Sequence, residues 1–286
     1  MLYGVIDIGS NSARLMIHDG RKTLYKRVKI TALAESMGKD KILTECAMKR
    51  TANAIKEFVC YAKEIGVDKL YAFATAAVRY ANNRKDFLDC VKEVSGTEIE
   101  VVSGETEAEL GYKGALNGKD GGVIDIGGAS AEVVVVKNGK KLYQKSLDIG
   151  VVKIKDECGQ EKDRVSDFCS KKIQEYGAIP RADFYGIGGT ATSIASMMLE
   201  LETYDPEKVN GFKIERQELD KFVKKLFSIT IDERRLLKGL QSERAEVIAG
   251  GAMLLLLMMD KIGLDYIRVS ESDNLEGYLM NKLENL

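Results

Sequence analysis

The stretch GVIDIGSNSARLMI begins at Gly4, and GVIDIGGASAEVVVV begins at Gly122. A string that returns with its aspartate, Asp7 or Asp125, in the same place demands a fold with two related halves. Each copy starts with an apolar run, Val5-Ile6 or Val123-Ile124, that ends in the aspartate. Gly and Ser follow at once. Residues 13–18 and 132–136 read as second strands. The turn dipeptides Asp19-Gly20 and Asn138-Gly139 come next and are strong hairpin signals. Residues 24–30 and 141–146 read as third strands. Each half is therefore predicted to open with a three-stranded meander. Its first turn carries Asp, Gly and hydroxyl or amide side chains.

That turn has a chemical use. Glycines let the backbone come close to a ligand. Successive N–H groups in a tight turn form an anion-binding concavity. An aspartate at a strand end can hold Mg²⁺ through water, because that ion keeps much of its hydration shell. Two such turns facing each other would clamp a phosphate chain and its metal from both sides. Asp7 and Asp125 are the candidate metal carboxylates. Ser10, Asn11, Ser12, Gly127, Gly128 and Ser130 are candidate phosphate donors. The alternative, a plain hairpin turn, accounts for one copy more easily than for two in matching places. Arg14 reads either as a further phosphate contact or as one end of an ion pair on a strand face.

After each meander, strands and helices alternate, which points to an α/β architecture with mixed sheets. In the first half the pattern predicts a helix capped by Thr44 and ended by Gly66. A strand at 69–75, a helix near 79–94, a strand at 98–102 and a helix at 104–116 follow. In the second half it predicts a helix at 152–176 and a strand at 184–187. Gly188-Gly189-Thr190 then opens a helix, a ready anion site at a helix N-terminus. Close strand–helix packing through glycine is the competing reading there. Three further helices, a strand at 266–269 and a last helix complete the chain.

With 286 residues there is room for one large domain or two medium ones, and two prolines and no Ser/Pro-rich stretch leave no linker between halves. We expect domains at 1–117 and 118–286, in close contact, with the last helix able to pack back on the first. A net charge of −1 argues against a general nucleic-acid binder. Five scattered cysteines without a CxxC, and the single His18, argue against a disulfide framework or a Cys/His metal site. A reducing, cytoplasmic setting is expected. No signal peptide is read at the start. The longest apolar run, AMLLLLMM from Ala252, is short of the roughly 20 residues of a spanning helix, so no membrane is expected. Basic residues gather at 21–29 and 137–145 and read as solvated faces.

Six blocks in order then make the chain recognisable. They are DIGSNSARLMI, ATAAVRYANN, VVSGETEAELGYKGAL, DIGGASAE, GIGGTATSIASM and the segment from ERAEVIAGGAM to NLEGYL. Together they resemble the exopolyphosphatase/guanosine pentaphosphate phosphatase family of the actin–Hsp70–sugar kinase superfamily. The resemblance implies two actin-like, ribonuclease H-like domains around a cleft. It implies Mg²⁺-dependent hydrolysis of the terminal phosphoanhydride of inorganic polyphosphate, or of the 5′-phosphate of pppGpp. It also implies a homodimer.

By resemblance Glu107 is the carboxylate that orients or deprotonates the attacking water. Arg79 is the arginine that neutralises the transferring phosphoryl, and Glu132 is a second functional carboxylate. Gly188, Gly189 and Thr190 would hold the far end of polyphosphate or the guanosine. The second loop departs from the family's DIGGGSTE at Ala129 and Ala131, where a methyl could limit backbone approach and a hydroxyl is lost. Asn274 stands where the family often has arginine. No counterpart of the C-terminal helical domain of longer members is seen up to Leu286, which favours short polyphosphate or another phosphoanhydride. A superfamily kinase and a non-catalytic phosphate or alarmone sensor are the other classes that these residues allow.

Overall fold

The computed structural model describes residues 1–38 and 40–284. The first half opens with β1 (Tyr3–Ile8), β2 (Ser12–His18) and β3 (Thr23–Ile30), an antiparallel meander. Helix α1 (Glu45–Glu64) follows, with the Thr44 hydroxyl accepting the Ala47 N–H as its N-cap. Then come β4 (Lys69–Ala74), α2 (Ala76–Tyr80), α3 (Arg84–Ser95), β5 (Glu100–Val101) and α4 (Gly104–Leu116). The sheet order is β3-β2-β1-β4-β5, with β4 and β5 parallel to β1.

The second half repeats the plan. Strands β6 (Gly121–Ile126), β7 (Ala131–Lys137) and β8 (Lys140–Leu147) form its meander. Helices α5 (Val151–Cys158) and α6 (Lys162–Ile173), strand β9 (Phe184–Ile187) and helices α7 (Gly188–Met198) and α8 (Pro206–Val209) follow. Strand β10 (Lys213–Glu215), helices α9 (Arg216–Ser228), α10 (Ile231–Arg235) and α11 (Ile248–Ile262), strand β11 (Tyr266–Val269) and helix α12 (Asn274–Glu284) complete it. The order is β10-β11-β9-β6-β7-β8, so β8-β7-β6-β9 matches β3-β2-β1-β4. This is the α/β, ribonuclease H-like architecture with two mixed sheets that was expected. The second hairpin is a two-residue turn with Asn138 and Gly139 both at positive φ. The Asp120 carboxylate accepts both of their N–H groups, at 2.6 and 3.1 Å.

Four features differ from the sequence pattern, the simplest being that four helices, α8 to α11, stand between α7 and β11 where three were expected, because α8 and α10 span only four and five residues. The helix predicted near 79–94 is two, because Ala81 is extended and Asn83 bonds both the N–H and the C=O of Leu43. The Asn83 amide thereby ties the junction between the two helices to the backbone of a distant segment. The helix predicted at 152–176 breaks at Gly159, which takes φ +63. The edge strand β10 was missed; it pairs antiparallel with β11 over three residues, too few to show a pattern.

Helix α12 leaves the second sheet and packs against α4 and β1. Tyr278 stacks on Phe73 with ring centres 4.4 Å apart. The approach to α4 needs glycine at two points. A Cβ on Gly114 would lie 1.8 Å from the Asp273 carbonyl oxygen, and one on Gly277 would lie 1.9 Å from that of Leu110. This crossing brings the first turn of α12 beside the helix that carries Glu107.

Candidate active site

The two repeated turns meet face to face. A Cβ on Gly128 would lie 2.6 Å from Ser10 Cβ and 3.0 Å from the Asn11 nitrogen. Both turns close alike: the Gly9 N–H donates to Ser12 O at 3.0 Å, and the Gly127 N–H to Ser130 O at 2.9 Å. Each is also held from behind. Thr31 and Ala32 donate to Asn11 O, and Ala34 donates to Ser10 O. Val151 donates to Gly127 O and Val152 to Gly128 O.

Between the turns lies a cavity of about 70 Å³. That is room for a few waters or a compact anion of phosphate size. Asp7, Ser10, Asn11, Ser12, Glu107, Asp125, Gly127, Gly128, Ser130, Gly188, Gly189 and Thr190 all line it. Helix α7 starts at this wall with no side chain capping it, so its first N–H groups are available to an anion. Gly188 is needed as glycine, since it has φ +73 and a Cβ there would come 2.5 Å from Asp125 Oδ1. The Thr190 hydroxyl is already spent on Ile126 O at 2.8 Å.

Two candidates stand outside the cavity. Arg79 lies behind Glu107, where its Nη1 donates to Glu107 Oε2 at 2.8 Å and to Val102 O at 3.0 Å. Its Nε and Nη2 are buried without a partner among the described residues. In this geometry it holds Glu107 rather than facing a phosphoryl group. Glu132 is buried on β7 and accepts the Ser146 hydroxyl at 2.7 Å, with Oε2 unpartnered. Burial, followed by the nearby Glu107 and Asp125, pushes its carboxyl well above the usual range.

Sequence reasoning left Arg14 open between two roles, gave Asn274 none, and missed Thr75 and Arg244 as lining residues. Arg14 donates through Nε to Asp7 Oδ2 at 3.0 Å, and its guanidinium also pairs with Asp273. It is both cavity wall and ion pair. Burial alone would lower its proton affinity, but Asp273 and Asp7 raise it far more. Arg244 is buried with its guanidinium against Gly189, and no carboxylate forms an ion pair with it among the described residues. Burial lowers its pKa to about 10. A buried cation without a counter-charge at a cavity wall is a strong attractor for anions. Thr75 lines the wall and its hydroxyl lies against Glu107. The Asn274 amide donates to Asp125 Oδ2 at 2.9 Å. The ERAEV block was the one visible signal for Arg244.

The carboxylates are poised by burial. It raises the pKa of Glu107, against the lowering effect of Arg79. Asp125 rises to about 7 through burial and then the nearby Glu107. Asp7 is raised by burial as well, and its Oδ1 has no partner. Among the described residues no three His, Cys, Asp or Glu side chains lie close enough to hold a metal by themselves. Asp7, with an unpartnered oxygen, and Asp125, whose Oδ2 accepts from Asn274, both line the cavity and fit the hydrated, carboxylate-poor coordination habits of Mg²⁺. Ala129 does not line the cavity and its φ is not positive, so its methyl neither blocks the anion site nor strains the turn.

Two related α/β halves, paired glycine-containing turns and a buried carboxylate at the wall of a small polar cavity define a duplicated α/β protein with a candidate active site between its halves. The Ppx/GppA phosphatase family profile matches residues 15–286, and the chain belongs to that family. It is 30% identical, over 98% of its length, to the bifunctional 3-dehydroquinate synthase/phosphatase of Fusobacterium nucleatum, and spans 46% of that protein. It is 26% identical to exopolyphosphatase 2 of Mycobacterium tuberculosis, covering 96% of this chain and 97% of the relative. It is also 26% identical to a guanosine-5′-triphosphate,3′-diphosphate pyrophosphatase of Aliivibrio fischeri, of which it spans 60%. The crystal structure of the Aquifex aeolicus family member superposes with a TM-score of 0.80 at 29% identity, over 100% of this chain and 98% of that one. An exopolyphosphatase from Cytophaga hutchinsonii shares the fold, with a TM-score of 0.90 at 24% identity over 100% and 99% of the two chains. Among the described residues no helix is long and apolar enough to cross a membrane.

Proposed function

We propose that this chain hydrolyses the terminal phosphoanhydride bond of inorganic polyphosphate, with Mg²⁺ as cofactor. One observation carries the reading: the buried Glu107 faces a phosphate-sized cavity between the two turns, with Arg79 behind it. Arg79 occupies Oε2 and fixes the carboxylate's direction. Oε1 is left to take a proton from water. The water oxygen bonds to the terminal phosphorus, the bridging P–O bond breaks, and the electron pair leaves with the shortened chain. Burial raises the proton affinity of Glu107, which suits a base working near neutral pH. Backbone N–H groups of the turns and of α7, with Arg14 and Arg244, counter the charge of the transferring group. Mg²⁺ held by Asp7 and Asp125 would neutralise phosphate oxygens. Polyphosphate is favoured because the exopolyphosphatase relative is matched nearly end to end.

A second reading, pppGpp as substrate, is favoured by a chamber of about 330 Å³ that shares Arg14, Gly188, Gly189 and Arg244 with the cavity. Glu271 and Asp273 offset part of the charge of its Arg14, Lys26, Arg27 and Arg244. Lys26 is further tied to Glu276. Such a wall suits a compact polar group better than a long polyanion. The test is phosphate release, with and without Mg²⁺, from short polyphosphate, long polyphosphate, pppGpp and ATP. Glu107→Gln should lower kcat roughly 10³-fold on the preferred substrate. A pppGpp preference would move the function to alarmone turnover. Binding without turnover in the wild type would overturn the hydrolase reading, and turnover untouched by Glu107→Gln would overturn the assignment of the base.

A further inference from the structure

A second cavity, of about 110 Å³, adjoins the candidate active site and shares no lining residue with the chamber described above. It shares a wall residue, Ala76, with the candidate active site. Both halves build it. The first half supplies Ala34, Met37, Ala77 and Tyr80, and the second supplies Ala129 and Val152. Its floor is therefore apolar, and Ala129, the departure from the family's loop pattern, contributes the methyl that a glycine would lack. The charged rim is unbalanced. Lys153 is taken by Asp148, and Lys41 lies over the Tyr80 ring at 5.2 Å. Asp156 and Glu157 stand on the rim, and among the described residues neither side chain enters an ion pair or hydrogen bond.

We propose that this second cavity is a binding site for a small organic cation, an amine on an apolar body, and that its occupancy is felt by the phosphate turns. The chemistry of the walls selects the ligand: an apolar floor for the body and, for the ammonium, two unpaired carboxylates against the single Lys41 that lies over Tyr80. The coupling follows from the backbone. Segment 31–34 donates three N–H groups to the carbonyls of Ser10 and Asn11, and the start of α5 donates to Gly127 and Gly128. Ala34 and Val152, which line the cavity, each make one of these bonds. The covering segment is also under backbone constraint. Ala32, Ser36 and Lys41 sit at positive φ, half of the six non-glycine residues that do so among the described residues. On the α2 side, Tyr80 lies against Arg79, with the guanidinium carbon 4.9 Å from the ring centre, and Arg79 holds Glu107. A ligand between the halves thus touches supports of both turns and of the base.

The probe is phenethylamine, with phenylacetate as the same ring of opposite charge. Binding to the wild type is read by saturation-transfer NMR and thermal shift, neither of which needs turnover. Phenethylamine is expected to bind at least tenfold more tightly than phenylacetate. The D156N/E157Q double variant and M37A should each weaken it at least threefold, and both change positions outside the candidate active site. Pyrophosphate affinity, measured by calorimetry, should shift when phenethylamine is present, and phenethylamine affinity should shift by the same factor with pyrophosphate. Equal binding of phenylacetate, or amine binding unmoved in both variants, would overturn the site. Site-specific amine binding that leaves pyrophosphate affinity unchanged would overturn the coupling. Failure of the hydrolase reading changes neither measurement.

Discussion

The two meanders share a backbone and differ in charge at one matched position. In the first, Asp7 on β1 faces Arg14 on β2; in the second, Asp125 on β6 faces Glu132 on β7. The strands, the glycine turn and its closing hydrogen bond are the same in both. The first copy therefore holds an ion pair that reaches on to Asp273, while the second holds two buried acids close together. Burial, and then the nearby Glu107, moves Asp125 to a pKa of about 7, and its Oδ2 takes the Asn274 amide as a donor. Duplication supplied two equivalent jaws, and one side chain per copy made them electrostatically unlike. One jaw brings a fixed cation to the cavity, and the other brings Asp125, with a pKa of about 7, beside Glu132, whose carboxyl burial pushes well above the usual range.

The largest expected effect tests that contrast directly. Arg14→Ala leaves Asp7 and Asp273 buried without their counter-charge, and should cost ~3–5 kcal/mol in urea denaturation. Glu132→Gln at the matched position removes a buried acid whose Oε2 is unpartnered, and should be near neutral. Equal losses in the two variants would break the contrast.

The second test is pH dependence. Asp125 has a folded pKa of about 7 against an ordinary 3.8, so between these values the folded state binds more protons than the unfolded. The stability it contributes is complete below about pH 4 and is lost as pH rises through 7, up to about 4 kcal/mol. Metal-free protein should therefore melt progressively lower from pH 5 to pH 8. Asp125→Asn should flatten that slope, and a slope unchanged by the substitution would remove Asp125 as its source.

Smaller effects probe the contact between the jaws. Gly128→Ser makes the second turn match the first at the position of Ser10, and its Cβ meets Ser10 Cβ at 2.6 Å. A loss of ~1–3 kcal/mol with weaker pyrophosphate binding is expected, as for overpacking generally. Unchanged stability would show that the turns separate easily. The smallest effect belongs to Ala129→Gly, which restores the family's usual residue. Ala129 is not at positive φ, so glycine there should only loosen the unfolded chain, costing ~0.4–1 kcal/mol. Phosphate release should stay within about twofold, and a large gain in activity would put the Ala129 methyl back in the substrate's path.

Much of this arrangement was legible in the chain itself. The repeated string specified both meanders and their turns, because strand alternation and turn chemistry act over a few residues. The Asn138-Gly139 hairpin and the strand-to-helix step at Gly188 were readable for the same reason. Helix α4 was too: the Ser103 hydroxyl caps it by accepting the Thr106 N–H, which sets Glu107 in its first turn. A long-range contact hid the break at Ala81, where the Asn83 side chain bonds Leu43, forty residues away in sequence.

Tertiary structure alone decided how the acids and bases are paired. Arg14 meets Asp273 across 259 positions, and Asn274 meets Asp125 across 149. Both contacts depend on α12 crossing α4 through Gly114 and Gly277, a fit of two surfaces that no local periodicity encodes. Arg79 and Glu107 were both visible as candidates, yet only the packed structure put one behind the other. The sequence determined where the carboxylates sit along the chain. Folding determined their chemistry, because removing them from water and setting particular neighbours against them is what moves their proton affinity.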